Sequence, residues 1–237
     1  MTTLIALLIW PVALLTFAFA GLLLFLGLLI IPRQQIHYLV RFLCRLILLG
    51  AGQILVVDRR DFDDSDGPFI YMFNHASLFD PFIVGSIVRH YITAVGADYQ
   101  FSYPLWGAMI KRYGIIPIIR TDIRKAIASL HKAEEAIRSG ISFLISPEGT
   151  RTLNGELGLF KKGGFHVAKN TGATIVPMAF FGTFRAKSKP DWRIRPGVLR
   201  AKIGPVITAA EFAQLSVEEL RDLVRGRIQD LLAEKVE

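Results

Sequence analysis

The chain opens on a run of 28 positions, residues 4–31, that holds no charged side chain. As a helix rising about 1.5 Å per residue this run reaches about 42 Å, against ~30 Å of bilayer hydrocarbon, so it is long enough to span, to kink at Pro11, or to lie in one leaflet. A cleaved signal peptide fits it poorly. No basic residue precedes it, the apolar stretch is too long, and no small-x-small site follows Ile31. Residues 36–57 remain apolar but carry His37, Arg41 and Arg45 at spacings of four, which predicts an interfacial helix with all three on one face. A core helix and strand of the following domain is the alternative reading.

From Asp58 onwards short apolar runs alternate with amphipathic stretches. Strands are predicted at 54–58, 69–73, 91–95, 114–119, 142–146, 174–181 and 198–203, and helices at 81–88, 104–113, 123–139, 164–171 and 217–234. This pattern predicts an α/β fold, with a mostly parallel or mixed central sheet flanked by helices and preceded by an N-terminal apolar membrane-anchoring helical segment. The expected organisation is an anchor over residues 1–53 and a catalytic domain over residues 54–237. Pro177 inside its apolar strand argues for a sheet edge or a bulge.

Composition sharpens the picture. With 52% hydrophobic and 20% charged residues, the 237-residue chain is not disordered. Its 28 lysines and arginines against 20 acidic residues give +8, and its mean hydropathy is +0.41. A nucleic-acid binder shares the charge but not the hydropathy, so the pair of values points to a membrane surface. Residues 1–57 hold three basic groups and no acidic ones, which by the positive-inside tendency places the remainder in the cytoplasm. Residues 111–202 hold 18 basic and six acidic groups, a surplus suited to an anionic substrate or lipid. The single cysteine, Cys44, excludes an intrachain disulfide and a cysteine-cluster metal site.

Four stretches carry candidate chemistry. Asn74-His75-Ala76-Ser77-Leu78-Phe79-Asp80 follows the apolar run 69–73, so His75 emerges at a strand end, where α/β domains place their sites. Neutral imidazole takes a proton near neutral pH, and a carboxylate on its other nitrogen orients it; Asp80 is near enough to fold back. Asp80 also reads as an ordinary helix N-cap before Pro81. No second histidine or carboxylate sits at a ligand spacing, so no metal is expected. Ser146-Pro147-Glu148-Gly149-Thr150-Arg151, followed by Phe160-Lys161-Lys162-Gly163-Gly164, gathers anion-binding groups after another apolar strand. It is not a P-loop, and no GxSxG elbow supplies a serine nucleophile. Gly114 to Arg120 reads as a buried strand ending in an arginine, and Ile175 to Phe181 as an apolar strand around Val176 and Pro177.

In this order and spacing the four stretches resemble the glycerolipid acyltransferase family, in particular its bacterial lysophosphatidate acyltransferase branch. NHASLFD matches the family's N-H-x4-D, SPEGTR its F-P-E-G-T-R-S, GIIPIIR its strand ending in I-D-R, and TIVPMAF its V-P strand. The resemblance implies that His75, oriented by Asp80, acts as general base on the free hydroxyl of 1-acyl-sn-glycerol-3-phosphate, which attacks the thioester of acyl-CoA or acyl carrier protein to give phosphatidic acid. It further implies that Glu148, Gly149, Thr150 and Arg151 bind the glycerol phosphate with Arg120 as a second contact. No cofactor, metal or nucleic acid is implied; the partners are the lysophospholipid, the thioester donor and membrane lipid. The implied location is the bacterial inner membrane with the catalytic domain cytoplasmic.

Three departures bear on the acceptor. Ala97 stands where the family usually has a lysine, Ile119 where an aspartate usually precedes the arginine at Arg120, and Thr152 where a serine usually follows the arginine at Arg151. Another lysophospholipid or a lyso-ornithine lipid therefore remains open as acceptor. A non-catalytic module that binds anionic lipid would explain the charge and the anchor without using His75, and a thioester hydrolase would use His75 with water.

Overall fold

The structure is a computed structural model, and it describes residues 2–60, 62–65 and 67–234. In chain order the helices are α1 (Thr2–Ile30), α2 (His37–Gly50), α3 (Asp80–Ile87), α4 (Trp106–Tyr113), α5 (Ile123–Arg138), α6 (Gly163–Thr171), α7 (Thr183–Lys187), α8 (Ala209–Phe212) and α9 (Val217–Ala233). The strands are β1 (Gln53–Asp58), β2 (Phe69–Phe73), β3 (Ile92–Ala97), β4 (Ile116–Ile118), β5 (Ser142–Ile145), β6 (Thr174–Phe181) and β7 (Gly197–Ile203). They form one mixed sheet in the order β1-β7-β6-β2-β5-β3-β4, in which only the β6–β7 pair is antiparallel. The α/β architecture with a central sheet flanked by helices is thus as the hydrophobic pattern predicts.

β2 is apolar and buried at every position because it lies mid-sheet with helices on both faces. Its alternate residues divide the interior in two. Phe69, Tyr71 and Phe73 join Ile83, Val84 and Ile87 of α3 and Leu48 of α2, while Ile70 and Met72 join Ala133 and Ile137 of α5, Phe165 of α6, and Leu220, Val224 and Ile228 of α9. The 3.6-residue period of α9 puts those three positions on one stripe. The effect is to hold the C-terminal end of β2 rigidly in the centre of one sheet edge.

α1 and α2 form an antiparallel hairpin whose inner face packs on the domain. Phe17 meets Phe82 and Trp106, Arg112 donates through Nε to the Leu28 carbonyl at 2.6 Å, and Ala13 joins the core beneath α2. Small residues permit close approach of the two helices: Ala6 and Ala20 are buried, and a Cβ on Gly50 would lie 2.6 Å from Thr16 Cβ. Over Thr3–Ile30 the helix has mean hydropathy 2.6 and is only 11% buried in its most apolar window, so it is long and apolar enough to cross a membrane.

Several local expectations change. Residues 36–57 fold as a helix followed by a strand; one face of the helix packs on the domain while Tyr38, Phe42, Arg45 and Leu49 stay exposed, and His37 does not share a face with Arg45. At 100° per residue a spacing of four advances 40°, so the two stand about 80° apart. His37 is buried, with Nδ1 against Tyr113 Oη and Nε2 against the Val88 carbonyl, both at 3.0 Å, whereas Arg45 is exposed. Pro177 does not lie on an edge strand; β6 is paired on both sides, with Pro177 opposite Met72. The bulge alternative holds: on the β7 side the antiparallel register slips by one residue between Met178↔Ile203 and Ile175↔Ile207, the Pro177 carbonyl accepts from the Gly204 N–H at 2.9 Å, and the proline's missing N–H falls at the slip. The strand expected over 114–119 shortens to Ile116–Ile118, and α7 and α8 arise in segments too short to show a helical period.

Candidate active site

The turn after β2 is closed by one carboxylate oxygen. Asp80 Oδ2 accepts from His75 Nδ1 at 2.8 Å, from the Ala76 N–H at 2.8 Å and from the Ser77 N–H at 2.7 Å. Asp80 is fully buried, and it begins α3 without capping that helix's own amides; Phe79 holds the N-cap position with no side-chain cap. The carboxylate therefore folds back onto residues 75–77 and does not serve as an N-cap. Because a carboxylate only accepts, His75 Nδ1 carries the proton and Nε2 presents its lone pair outward. The His75 side chain is 18% exposed against 0% for Asp80, so the imidazole alone of the pair meets the solvent side. Phe73 holds the ring edge-on at 5.6 Å.

Two further clamps set this turn. Asn74 Nδ2 donates to the Phe180 carbonyl at 3.0 Å while its Oδ1 accepts from the Phe180 N–H at 2.7 Å, which locks the β2 end to β6. Ser77 Oγ donates to the Lys187 carbonyl at 2.9 Å and ties the turn to α7. Glu148, from the loop after β5, accepts from the His75 N–H through Oε1 at 2.6 Å and from the Gly158 N–H through Oε2 at 2.9 Å. Burial pushes the Glu148 carboxyl above the usual carboxylate range, with both N–H donors opposing the shift. Both of its oxygens are thus occupied by backbone.

A cavity of about 210 Å³ opens beside His75, lined by Ala76, Phe180, Phe184 and Leu157 among apolar residues and by Glu148 and Glu156 among acidic ones. The cations lie outside that lining, around the loop after β5. Gly149 adopts φ +72°, and a Cβ there would lie 3.0 Å from Lys161 Cδ, so the lysine stem runs directly over the glycine. Arg151 has no hydrogen bond or ion pair among the described residues, and its charge acts on Lys187, whose ammonium burial pushes below its ordinary pKa. Thr150 stands in the same loop, and the Thr152 N–H donates to the His75 carbonyl at 2.8 Å. Arg120 follows β4 on the same sheet edge, but β5 and β3 lie between, so three strand spacings separate β4 from β2, about 14 Å. The charges felt at Arg120 come from Asp98 and Tyr99 rather than from the dyad.

Of the residues singled out in the sequence, the fold brings His75, Asp80 and Glu148 into direct contact and sets Gly149, Thr150 and Arg151 in the adjoining loop. Arg120 stays apart. Sequence reasoning passes over Asn74, Ser77 and Lys187 as site residues, and places Lys161 only in a stretch of anion-binding groups. Asn74 and Ser77 lie inside a quoted motif, but their partners are 106 and 110 positions away, beyond any local signal. Among the described residues no group of three or more His, Cys, Asp or Glu side chains is placed to hold a metal ion.

A histidine at the C-terminal end of a central strand, hydrogen-bonded to a buried carboxylate and flanked by a cationic loop on an α/β scaffold, is the arrangement expected of an enzyme that moves a proton beside an anionic substrate. Residues 53–181 match the model of the Acyltransferase family, and this chain belongs to that family. It is 31% identical over 153 residues to the chloroplastic 1-acyl-sn-glycerol-3-phosphate acyltransferase LPAT1 of Arabidopsis thaliana, covering 64% of this chain and 42% of the relative. It is 26% identical over 168 residues to a 1-acyl-sn-glycerol-3-phosphate acyltransferase of Pseudomonas aeruginosa, covering 70% and 65%. The chain spans less than two thirds of the length of either relative. The crystal structure of the 1-acyl-sn-glycerophosphate acyltransferase PlsC from Thermotoga maritima superposes with a TM-score of 0.84 over 100% of this chain and 98% of that one at 22% identity, which shows a shared fold.

Proposed function

We propose that the chain transfers a fatty acyl group from acyl-CoA or acyl carrier protein to the free hydroxyl of 1-acyl-sn-glycerol-3-phosphate, giving phosphatidic acid. The observation that carries this reading is the 2.8 Å contact between His75 Nδ1 and Asp80 Oδ2, which leaves Nε2 free as a base beside a cavity and a cationic loop. Nε2 takes the hydroxyl proton as the oxygen attacks the thioester carbonyl carbon. The Asp80 carboxylate stabilises the imidazolium that forms. The tetrahedral intermediate then expels the thiolate, the imidazolium returns the proton to sulfur, and the new ester leaves. No acyl-enzyme is needed.

Arg151, with Lys161 beside it over Gly149, is assigned to the acceptor's phosphate. A dianion is poorly placed against Glu148 and Glu156, so it lies toward the cations, and the neutral part of the substrate lies toward the cavity. Glu148 acts as a positioning group that holds the His75 and Gly158 backbone. Arg120 serves a more distant anionic group, such as a donor phosphate. With α1 as anchor, the reading places the enzyme at the bacterial inner membrane with its catalytic domain on the cytoplasmic side.

The test is an assay of the full chain in detergent with labelled acyl-CoA and a panel of lysolipids, the products read by mass. Phosphatidic acid formation that falls at least 100-fold in His75→Ala, with folding retained, is expected, since general-base assistance is worth about 10² to 10⁴. Unchanged transfer in that variant, or free fatty acid as the only product, overturns the reading.

A further inference from the structure

α7 is followed by the loop of residues 188–196, and the site chemistry makes no use of it. The loop touches α1 directly: Trp10 donates its indole N–H to the Trp192 carbonyl at 3.0 Å, and Pro196 and Ile9 converge on Gly52, where a Cβ would lie 3.0 and 3.6 Å from them. The loop therefore rides beside the N-terminal third of the apolar helix. Yet Trp192 is 50% exposed, a large amphipathic residue beside a helix that is itself mostly uncovered.

The segment around Trp192 is rich in cations. Arg185, Lys189, Arg193 and Arg195 stand against one carboxylate, Asp191. Asp191 accepts from the Arg193 N–H and Nε, both at 3.0 Å, and from Arg195 Nη2, while Arg185 and Lys189 have no ion pair among the described residues. The loop is also prebuilt. Lys187 Nζ donates to the Ser188 carbonyl at 2.9 Å and the Asp191 carbonyl at 2.6 Å, and Ile194 is buried beneath. A rigid projection of this kind loses little conformational freedom on docking.

We propose that the loop of residues 188–196 is a second membrane contact, seating Trp192 at the headgroup level with Arg185, Lys189, Arg193 and Arg195 on anionic phospholipid. An indole with one apolar face and one N–H suits the bilayer interface, and each cation near an anionic surface strengthens binding about fivefold, from about 1 kcal/mol apiece. A soluble polyanion such as a thioester donor would use the cations but not an outward indole beside an apolar helix. The contact gives the domain a second point on the bilayer beside the exposed face of α1, and two points fix how it stands there.

The test uses the full chain in vesicles and reads the tryptophan emission lost in Trp192→Phe, a substitution that keeps the carbonyl held by Trp10. With phosphatidylcholine vesicles containing phosphatidylglycerol, the component due to Trp192 is expected to be blue-shifted and quenched by lipids brominated near the headgroup. In phosphatidylcholine alone, in high salt, or in Arg185→Glu/Lys189→Glu, that quenching is expected to weaken several-fold. A Trp192 component that ignores brominated lipid and is quenched by aqueous iodide overturns the proposal. So does one that responds to soluble acyl-CoA but not to phosphatidylglycerol, which would assign the cations to the donor.

Discussion

The backbone N–H of His75 donates to Glu148 Oε1 at 2.6 Å, so the loop after β5 grips the main chain of this histidine rather than its side chain. With Oε2 on the Gly158 N–H, one buried carboxylate joins two loops that are distant in sequence. Glu148→Ala leaves two buried N–H groups without acceptors. Each charge-assisted hydrogen bond is worth about 1.5–3 kcal/mol, so for the two a loss of about 3–6 kcal/mol in urea unfolding is expected. In the fraction that stays folded, kcat should fall more than KM for either substrate; a change confined to the acceptor's KM would instead make Glu148 a direct ligand.

Asp80→Asn preserves shape and reverses polarity. An amide nitrogen at the Oδ2 position would face three donors, so the side chain must flip, and its oxygen then accepts while the other nitrogen is buried unpaired. The imidazolium also loses its counter-charge. A drop in kcat of about 10³ to 10⁴ is expected by analogy with carboxylate-to-amide changes in Ser-His-Asp triads, with acceptor KM within a few-fold. Activity within tenfold of wild type would mean that Asp80 only shapes the turn.

Arg151→Ala should raise KM for the phosphate-bearing acceptor by about 10- to 100-fold and leave the donor's KM nearly unchanged, as expected for losing one or two charge-assisted hydrogen bonds. Arg151→Lys should recover part of this, since lysine keeps the charge but not the fork. Equal effects on both substrates would move Arg151 to the donor.

His37 makes a stability prediction. Burial between α2 and the domain pushes its pKa from 6.5 down to about 4, against the favourable Val88 carbonyl contact. Below pH 6.5 the unfolded chain takes up a proton that the folded chain refuses. The folded state therefore loses stability as pH falls from 6.5 towards 4, by up to about 3 kcal/mol. Melting temperature followed over that window should fall more steeply for wild type than for His37→Gln, and parallel curves would show that His37 is hydrated in solution.

Gly50→Ala tests the hairpin. A methyl group there meets Thr16 across the α1–α2 seam, and overpacking of this kind costs about 1–3 kcal/mol. Thr16→Gly in the same chain should restore most of the lost thermal stability; no rescue would show that the two helices separate in detergent.

The sequence made the sheet legible because burial on both faces writes itself as unbroken apolar runs, as in Phe69 to Phe73, and because most strands are joined by amphipathic helices with clear periods. It hid whatever depended on pairing across the chain. Pro177 reads as an edge or a bulge residue, and only the pairings of Met178 and Ile175 with Ile203 and Ile207 decide for the bulge. His37 reads as an interfacial residue until Tyr113, 76 positions away, supplies a buried partner. At the site, His75 and Asp80 were legible because they are five residues apart and need only a turn to meet. Glu148 and Arg120 look alike as polar ends of apolar strands, and only strand order separates a residue touching the base from one several strands distant.

The six-residue turn from His75 to Asp80 holds the imidazole, the buried carboxylate and the two amides that bind it within one short stretch of chain, whereas the cations come from loops after other strands. The two are physically separable. The side chains of Arg151, Lys161 and Arg120 make none of the turn's hydrogen bonds, so each cation can be replaced while the Asp80 contacts to His75, Ala76 and Ser77 stay in place. Ala97, Ile119 and Thr152 all lie outside that turn.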